Sequence, residues 1–197
     1  MLGHQPSAFR PMARLILSIN VTLDGCCHHM QAIADDEHHQ YVTELLSGVE
    51  ALLFGRITYE LFESYWPAVA QSGSGKPHEV AFARVLDSKP KYVASRSQRA
   101  LAWKEAVLLS GNLAEEVRHL KHMLAGDLLI FGSPGLARTL AELSLIDEYQ
   151  FVIQPMLTGQ GPTLFEGLGS RLDLRHQETR IFRSGILLSR YHPHAVA

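Results

Sequence analysis

Val49-Glu-Ala-Leu-Leu-Phe-Gly-Arg-Ile-Thr-Tyr-Glu60 decides the fold. Residues 49–54, apolar apart from Glu50, show no polar alternation, as expected of a strand buried on both faces. Gly55 ends the run, and a helix is predicted over about 57–64, closed before Pro67. A buried strand that turns through one glycine into a helix is the unit of a parallel α/β sheet.

Working outward, the same alternation recurs. Upstream, residues 14–20 read as a strand bounded by Asp24-Gly25. A helix follows over about 36–46, with Asp35 or Asp36 as its cap and Tyr41, Leu45 and Leu46 on one face. Downstream, Gln71-Ser-Gly-Ser-Gly-Lys-Pro77 reads as a surface loop. It precedes a helix at 78–86, strands at 91–95 and 107–109 and a helix at 113–124. Residues 127–131 are a fully apolar strand that runs into Gly132-Ser-Pro-Gly135, a helix at 136–143 and a long strand at 148–156. The last third changes character: strands at 171–180 and 186–192 suit an antiparallel pair. The prediction is one α/β domain over 12–193, a mostly parallel central sheet with an antiparallel C-terminal edge. Residues 1–11 read as a flexible extension and 194–197 as a tail.

Composition bounds the function. The chain has 197 residues, 46% of them hydrophobic and 19% charged, which suits one globular core and excludes general disorder. Eighteen Lys and Arg against 20 Asp and Glu leave no basic field for a nucleic-acid backbone or a membrane surface. The two cysteines, Cys26 and Cys27, are adjacent and offer no disulfide framework, which favours a reducing compartment. No apolar run approaches the roughly 20 residues of a membrane span, and the first residues lack the apolar stretch of a signal peptide. A soluble cytoplasmic protein is expected, acting on a small molecule.

Ligands of open α/β sheets gather beyond the carboxyl ends of the strands. Three predicted strand ends carry groups suited to anions. Gly55, Arg56 and Thr58 join free helix-terminal amides to a guanidinium and a hydroxyl. Ser95-Arg96-Ser97 repeats the hydroxyl–cation pairing. Gly132, Ser133 and Gly135 permit close backbone approach where a helix begins. Each alone is as readily a turn. Three on alternate strands of one sheet suit an extended ligand with several phosphates, such as a dinucleotide. No G-x-G-x-x-G, Walker-type loop or G-x-S-x-G elbow is present.

The motifs Thr22-Leu-Asp-Gly25, Phe54-Gly-Arg-Ile-Thr-Tyr-Glu60 with Tyr65-Trp-Pro67, Phe131-Gly-Ser133, Leu145-Ile-Asp-Glu148, Pro155 and Gly159-Gln-Gly-Pro-Thr-Leu-Phe165 carry a resemblance. In that order, over roughly residues 12–192, the chain resembles the dihydrofolate-reductase-like family. That family includes the reductase domain of the bifunctional riboflavin-biosynthesis deaminase-reductase. The resemblance implies a three-layer fold, a homodimer and hydride transfer from NADPH to a pyrimidine- or pterin-like ring or a carbonyl compound. The activity it points to is 5-amino-6-(5-phosphoribosylamino)uracil reduction; a non-catalytic nucleotide-binding or regulatory module on the same fold is the alternative. It also implies that Gly55, Arg56 and Thr58 hold cofactor phosphates, Ser95 and Arg96 meet the 2′-phosphate, and Gly132, Ser133 and Gly135 lie under the pyrophosphate. The segment from Cys26 to Asp36 departs from the riboflavin-type reductases and offers no basic residue for a ribose phosphate. The zinc-deaminase signature is missing.

Two carboxylates are candidates for catalysis. Asp24 lies at the end of the first strand and reads either as a turn former or as an active-site group. Asp36 lies where related reductases carry an acid, or else caps its helix. Asp147-Glu148 reads as a solvated turn, and Trp66 as core or as a roof over the pocket. The chain has 11 His, four of them in the pairs His28-His29 and His38-His39. Metal binding with Cys26 and Cys27, contact with substrate and plain packing all stay open for them. Adjacent helical residues point about 100° apart and seldom chelate one ion, so no metal site is assigned.

Overall fold

The computed structural model describes residues 12–97 and 100–194; the predicted extension at 1–11 and residues 195–197 of the tail lie outside them. In chain order the elements are β1 (Leu15–Thr22), α1 (Asp36–Gly48), β2 (Ala51–Gly55), α2 (Arg56–Glu63), α3 (Trp66–Ser72), α4 (Pro77–Ser88), β3 (Lys91–Ala94), β4 (Ala106–Leu109), α5 (Leu113–Met123), β5 (Leu128–Phe131), α6 (Pro134–Glu142), β6 (Glu148–Gln154), β7 (Leu174–Ile181) and β8 (Leu187–Pro193). They build one eight-stranded sheet of order β4-β3-β2-β5-β1-β6-β8-β7. Strands β4 through β6 pair in parallel. β8 and β7 add antiparallel to β6, with a register shift between His176 and Glu178. This is the predicted α/β architecture, antiparallel edge included.

The strand pleat explains the layers. Leu15, Leu17 and Ile19 of β1, Leu53 of β2 and Ile130 of β5 face α5 and α6, packing on Val117, Leu120, Leu136 and Leu140. Ile16, Leu52, Phe54 and Leu129 face the other way, onto Tyr41, Val42 and Leu46 of α1, Tyr59 of α2 and Phe82 and Leu86 of α4. β2 and β5 thus bury both faces and show no polar alternation, whereas β1 does so only up to Leu17, after which Ser18, Asn20 and Thr22 alternate with Ile19 and Val21. Each fully buried leucine contributes about 1.5–3 kcal/mol of transfer free energy.

Two predictions change. The loop expected from Gln71 narrows to residues 73–76, because Trp66–Ser72 is a helix. Pro67 sits in its first turn, where a missing N–H costs nothing since that donor has no helical partner anyway. Trp66 packs edge-on against Phe82 and belongs to the core. Asp147 and Glu148 are more than a solvated turn. Asp147 accepts the Leu15 N–H at 2.7 Å and the Lys121 ammonium at 2.5 Å. Glu148, 7% exposed, accepts from Arg14 and Gln150. Arg14 also binds Asp127, so these charges tie together the amino ends of β1, β5 and β6. The opposite, carboxyl ends are left for a site.

Candidate active site

The three anion-suited segments stand at the ends of β3, β2 and β5, which are neighbours in the sheet and not alternate strands. Adjacency joins what they line. A cavity of about 600 Å³ is bordered by Gly55, Ser95, Arg96 and Gly135. A neck of about 290 Å³ lies between Gly55, Arg56 and Thr58 on one side and Ser133 and Gly135 on the other. A cleft of about 520 Å³ follows, bordered by Thr58, Gly132 and Ser133 and reaching His28, His29 and His38. Successive cavities share residues, so they form one groove across the carboxyl edge, and all eight predicted binding residues line it.

The neck is shaped by helix ends. α2 starts at Gly55 and α6 at Ser133, and neither has a side chain capping its first amides. By contrast, Asp35 caps α1 through the His38 N–H, and Asn112 caps α5 through Ala114 and Glu115. A missing cap typically costs about 1 kcal/mol. Two uncapped termini facing one neck leave partial positive charge and free donors directed at whatever lies there, the arrangement that receives phosphate. Gly132 and Ser133 both take left-handed backbone, φ 72° and 58°, which turns β5 sharply into α6. Glycine adopts that conformation freely, whereas the buried Ser133 is strained in it. The Ser133 hydroxyl accepts the Gly55 N–H at 2.9 Å and fixes the width of the neck.

The cations are divided along the groove. Arg56 lines the neck and pairs with Glu60 one helical turn on, at 3.0 Å. Arg96 is exposed and lines the outer cavity with Ser95. Arg56 thus borders the neck and Arg96 the outer cavity. The outer cavity also recruits Ser110, Gly111 and Asn112 after β4, which the sequence reading missed. The signal was the Gly-Asn pair closing a four-residue strand ahead of a helix.

Neither candidate acid lines the cleft. The Asp24 carboxylate accepts from the Thr22 hydroxyl and from the N–H groups of Gly159 and Thr158 at 2.6 and 3.0 Å. Those bonds, the Thr22 hydroxyl first, hold its pKa down at about 2. A carboxylate so held does not donate a proton near neutrality. Its work is structural: it clasps the Thr22–Gly25 turn to the Gly159–Pro162 loop. Gly25 O, Cys26 O and Pro162 O accept further backbone bonds across or beside that joint. Gly161, at φ 112°, packs so closely on Cys26 that a β-carbon would stand 2.6 Å from its sulfur. Asp36 is not the helix cap, a place taken by Asp35. Its largely exposed carboxylate meets His78 Nδ1 at 2.9 Å in a separate cavity of about 430 Å³ that shares no lining residue with the groove.

The histidine pairs part company in the same way. His28, His29 and His38 line the cleft. His39 turns to the other cavity and stacks on His78, ring centroids 4.4 Å apart. Among the described residues no group of three or more His, Cys, Asp or Glu could hold a metal ion. No helix among them is long and apolar enough to cross a membrane.

Comparison with known proteins identifies the family and the fold. Residues 13–188 match the family model described as the RibD C-terminal domain. The chain is 31% identical over 182 residues, 91% of its length and 94% of the relative's, to the Bacillus subtilis (strain 168) protein described as uncharacterized protein YyaP. Among solved structures it is similar to a putative riboflavin biosynthesis protein from Shewanella sp. PV-4, with TM-score 0.70 and 21% identity over 92% of this chain and 99% of that one. It is also similar to the dihydrofolate reductase of Enterococcus faecalis, solved with NADP(H), with TM-score 0.60 and 12% identity over 91% of this chain and 96% of that one. The fold is therefore the three-layer one shared with dihydrofolate reductase.

Proposed function

The chain belongs to the RibD C-terminal domain family, and on that premise we propose that it is a reductase that binds NADPH along the groove and reduces a small heterocyclic or carbonyl compound in the histidine-lined cleft. One observation carries the reading. The eight residues expected to hold a dinucleotide, drawn from three separated segments, line three adjoining cavities that share bordering residues across the carboxyl edge of the sheet. Arg96 and Ser95 would take the 2′-phosphate. The open amides of α2 and α6, with Arg56 and Thr58, would take the pyrophosphate. Gly132 and Ser133 would then border the nicotinamide end.

Bound there, the nicotinamide supplies the hydride; the protein supplies position and surroundings. The cleft walls of Ile19, Phe62, Phe131 and Val152 exclude water from the reacting face. No carboxylate among the described residues lines the cleft, so the proton that completes reduction of a C=O or C=N bond comes by way of its histidines or of water.

Titrating the protein with NADPH and NADH, followed by nicotinamide fluorescence, tests the reading. Binding of NADPH in preference to NADH is expected. No binding of either at about millimolar concentration, an affinity near −4 kcal/mol, overturns it. Binding without turnover of any carbonyl or heterocyclic substrate would favour a nucleotide-binding module instead.

A further inference from the structure

The substrate end of the groove is unlike its cofactor end. Among the described residues, none that lines the cleft is Asp, Glu, Lys or Arg. Arg56 lines the neck and Arg96 the outer cavity, but neither reaches this wall. Among the described residues, the titratable groups that border the cleft are Cys27, His28, His29 and His38.

His38 stands out among them. It lies in the first turn of α1, is 6% exposed, and lines the cleft with both ring nitrogens lacking any hydrogen-bond partner. Its own helix turn uses only its backbone N–H, which Asp35 accepts at 2.7 Å. A buried ring with an unmatched donor and acceptor costs about 1–3 kcal/mol per unsatisfied group. Such groups in a folded interior call for a reason. A ligand in the cleft that presents a complementary oxygen and N–H would supply one. The Asn20 side chain contributes to the same wall: its oxygen accepts from Gln154 Nε2 at 2.9 Å, so its NH2 is the group left to donate.

Resting on the reductase reading, we propose that the cleft selects an uncharged substrate, a compact heterocycle or conjugated carbonyl compound bearing neither phosphate nor carboxylate, and that the His38 imidazole is the group that hydrogen-bonds its carbonyl oxygen or ring N–H. An anion placed here loses hydration worth several kcal/mol and meets no cation to offset it. Desolvation also holds His38 neutral, with its pKa pushed down to about 4, so the ring offers one donor and one acceptor and no positive charge. This separates the chain's substrate from the phosphoribosyl compound that the family resemblance suggests.

The experiment uses the full chain loaded with NADP⁺ and two matched pairs of probes. One pair is uracil and orotate; the other is 5-amino-6-(ribosylamino)uracil and its 5′-phosphate. Binding is read by calorimetry and by the ring resonances of isotopically labelled histidine. The uncharged member of at least one pair is expected to bind at about millimolar strength or better and to shift the His38 resonances. Its charged partner should bind at least roughly tenfold more weakly. His38→Leu should remove the uncharged probe's binding while leaving NADPH affinity unchanged. His38→Gln, whose carboxamide also offers a donor and an acceptor, should restore part of it. Equal or tighter binding of the charged probes overturns the inference. So does full binding by His38→Leu, or the failure of both uncharged probes in protein that holds NADPH. If NADPH itself does not bind, it is the reductase reading that falls, and this inference with it.

Discussion

The Ser133 hydroxyl accepts the backbone N–H of Gly55 across 78 positions of sequence, so a left-handed, buried serine at the turn from β5 into α6 sets how far the end of β2 stands from it. Ser133→Ala keeps the strained backbone and orphans the Gly55 N–H, a loss of about 1–3 kcal/mol. Ser133→Gly loses the same bond but relieves a left-handed strain of roughly 1–2 kcal/mol. Urea denaturation should therefore place the alanine variant below the glycine variant, and both below the parent. Equal midpoints for the two variants would mean that residue 133 stores no strain.

Arg56 and Arg96 occupy different parts of the groove, and their removal should be distinguishable. Arg96→Ala is expected to weaken NADPH by roughly 10–100-fold, the span of a charge-assisted bond, while NADH hardly changes. Arg56→Ala should weaken both cofactors alike, because the pyrophosphate is common to them. Glu60 holds part of the Arg56 charge at 3.0 Å. Glu60→Gln is therefore expected to tighten both cofactors a few-fold in a fluorescence titration. NADPH-selective loss in Arg56→Ala would reverse the assignment of the two arginines.

Asp24 binds the loop that begins at Thr158 through its negative charge. Its pKa of about 2 in the folded chain lies below the ordinary 3.8, so its contribution to stability is complete above 3.8 and disappears as pH falls through about 2. Asp24→Asn should loosen the joint at every pH above that window. Faster amide exchange at Thr158, Gly159 and Leu164, with the strand core still protected, is the expected result. Unchanged exchange there would show that the loop holds itself.

His38 titrates in the opposite sense to a salt-bridged histidine. Folding lowers its pKa from 6.5 to about 4, so the unfolded chain binds the extra proton between those values. Stability is fully present above pH 6.5 and is lost as pH falls to 4, by at most about 3 kcal/mol. His39 is shifted the same way, by desolvation and by His78, while Asp35 acts weakly against the shift at His38. Melting curves of His38→Leu should show a shallower decline across that window than the parent. Parallel declines would place the acid sensitivity elsewhere.

The sequence made some of this legible and hid the rest for physical reasons. The doubly buried strands β2 and β5 declare themselves because no polar residue interrupts them, and Gly132 marks the end of β5 because its left-handed backbone, φ 72°, favours glycine. Residues adjacent in space but remote in sequence leave no local mark. Asp24 finds Thr158 134 positions away, and Glu148 finds Arg14 at the same separation; each carboxylate was read as a local turn feature or a reactive group instead. Pro67 reads locally as a helix stop, yet it sits in the first turn of the next helix. Which histidine of each pair faces the cleft depends on helix rotation. One step of about 100° sends His38 into the cleft and His39 against α4, and the pattern of residue types fixes that rotation only once the neighbouring helix is known.

Because the groove is assembled from the ends of β2, β3 and β5, segments that come together only when the whole sheet has formed, the unfolded chain offers a dinucleotide nothing to hold. A molecule that binds only the native state stabilises it by about 2.7 kcal/mol at a concentration one hundredfold above its dissociation constant, and the melting temperature rises with the logarithm of its concentration. Thermal stability therefore doubles as an assay. A library of cofactors and small carbonyl compounds can be ranked by the temperature at which the protein melts, without knowing in advance which reaction it catalyses. A second shift that appears only when NADPH is already present would mark the substrate.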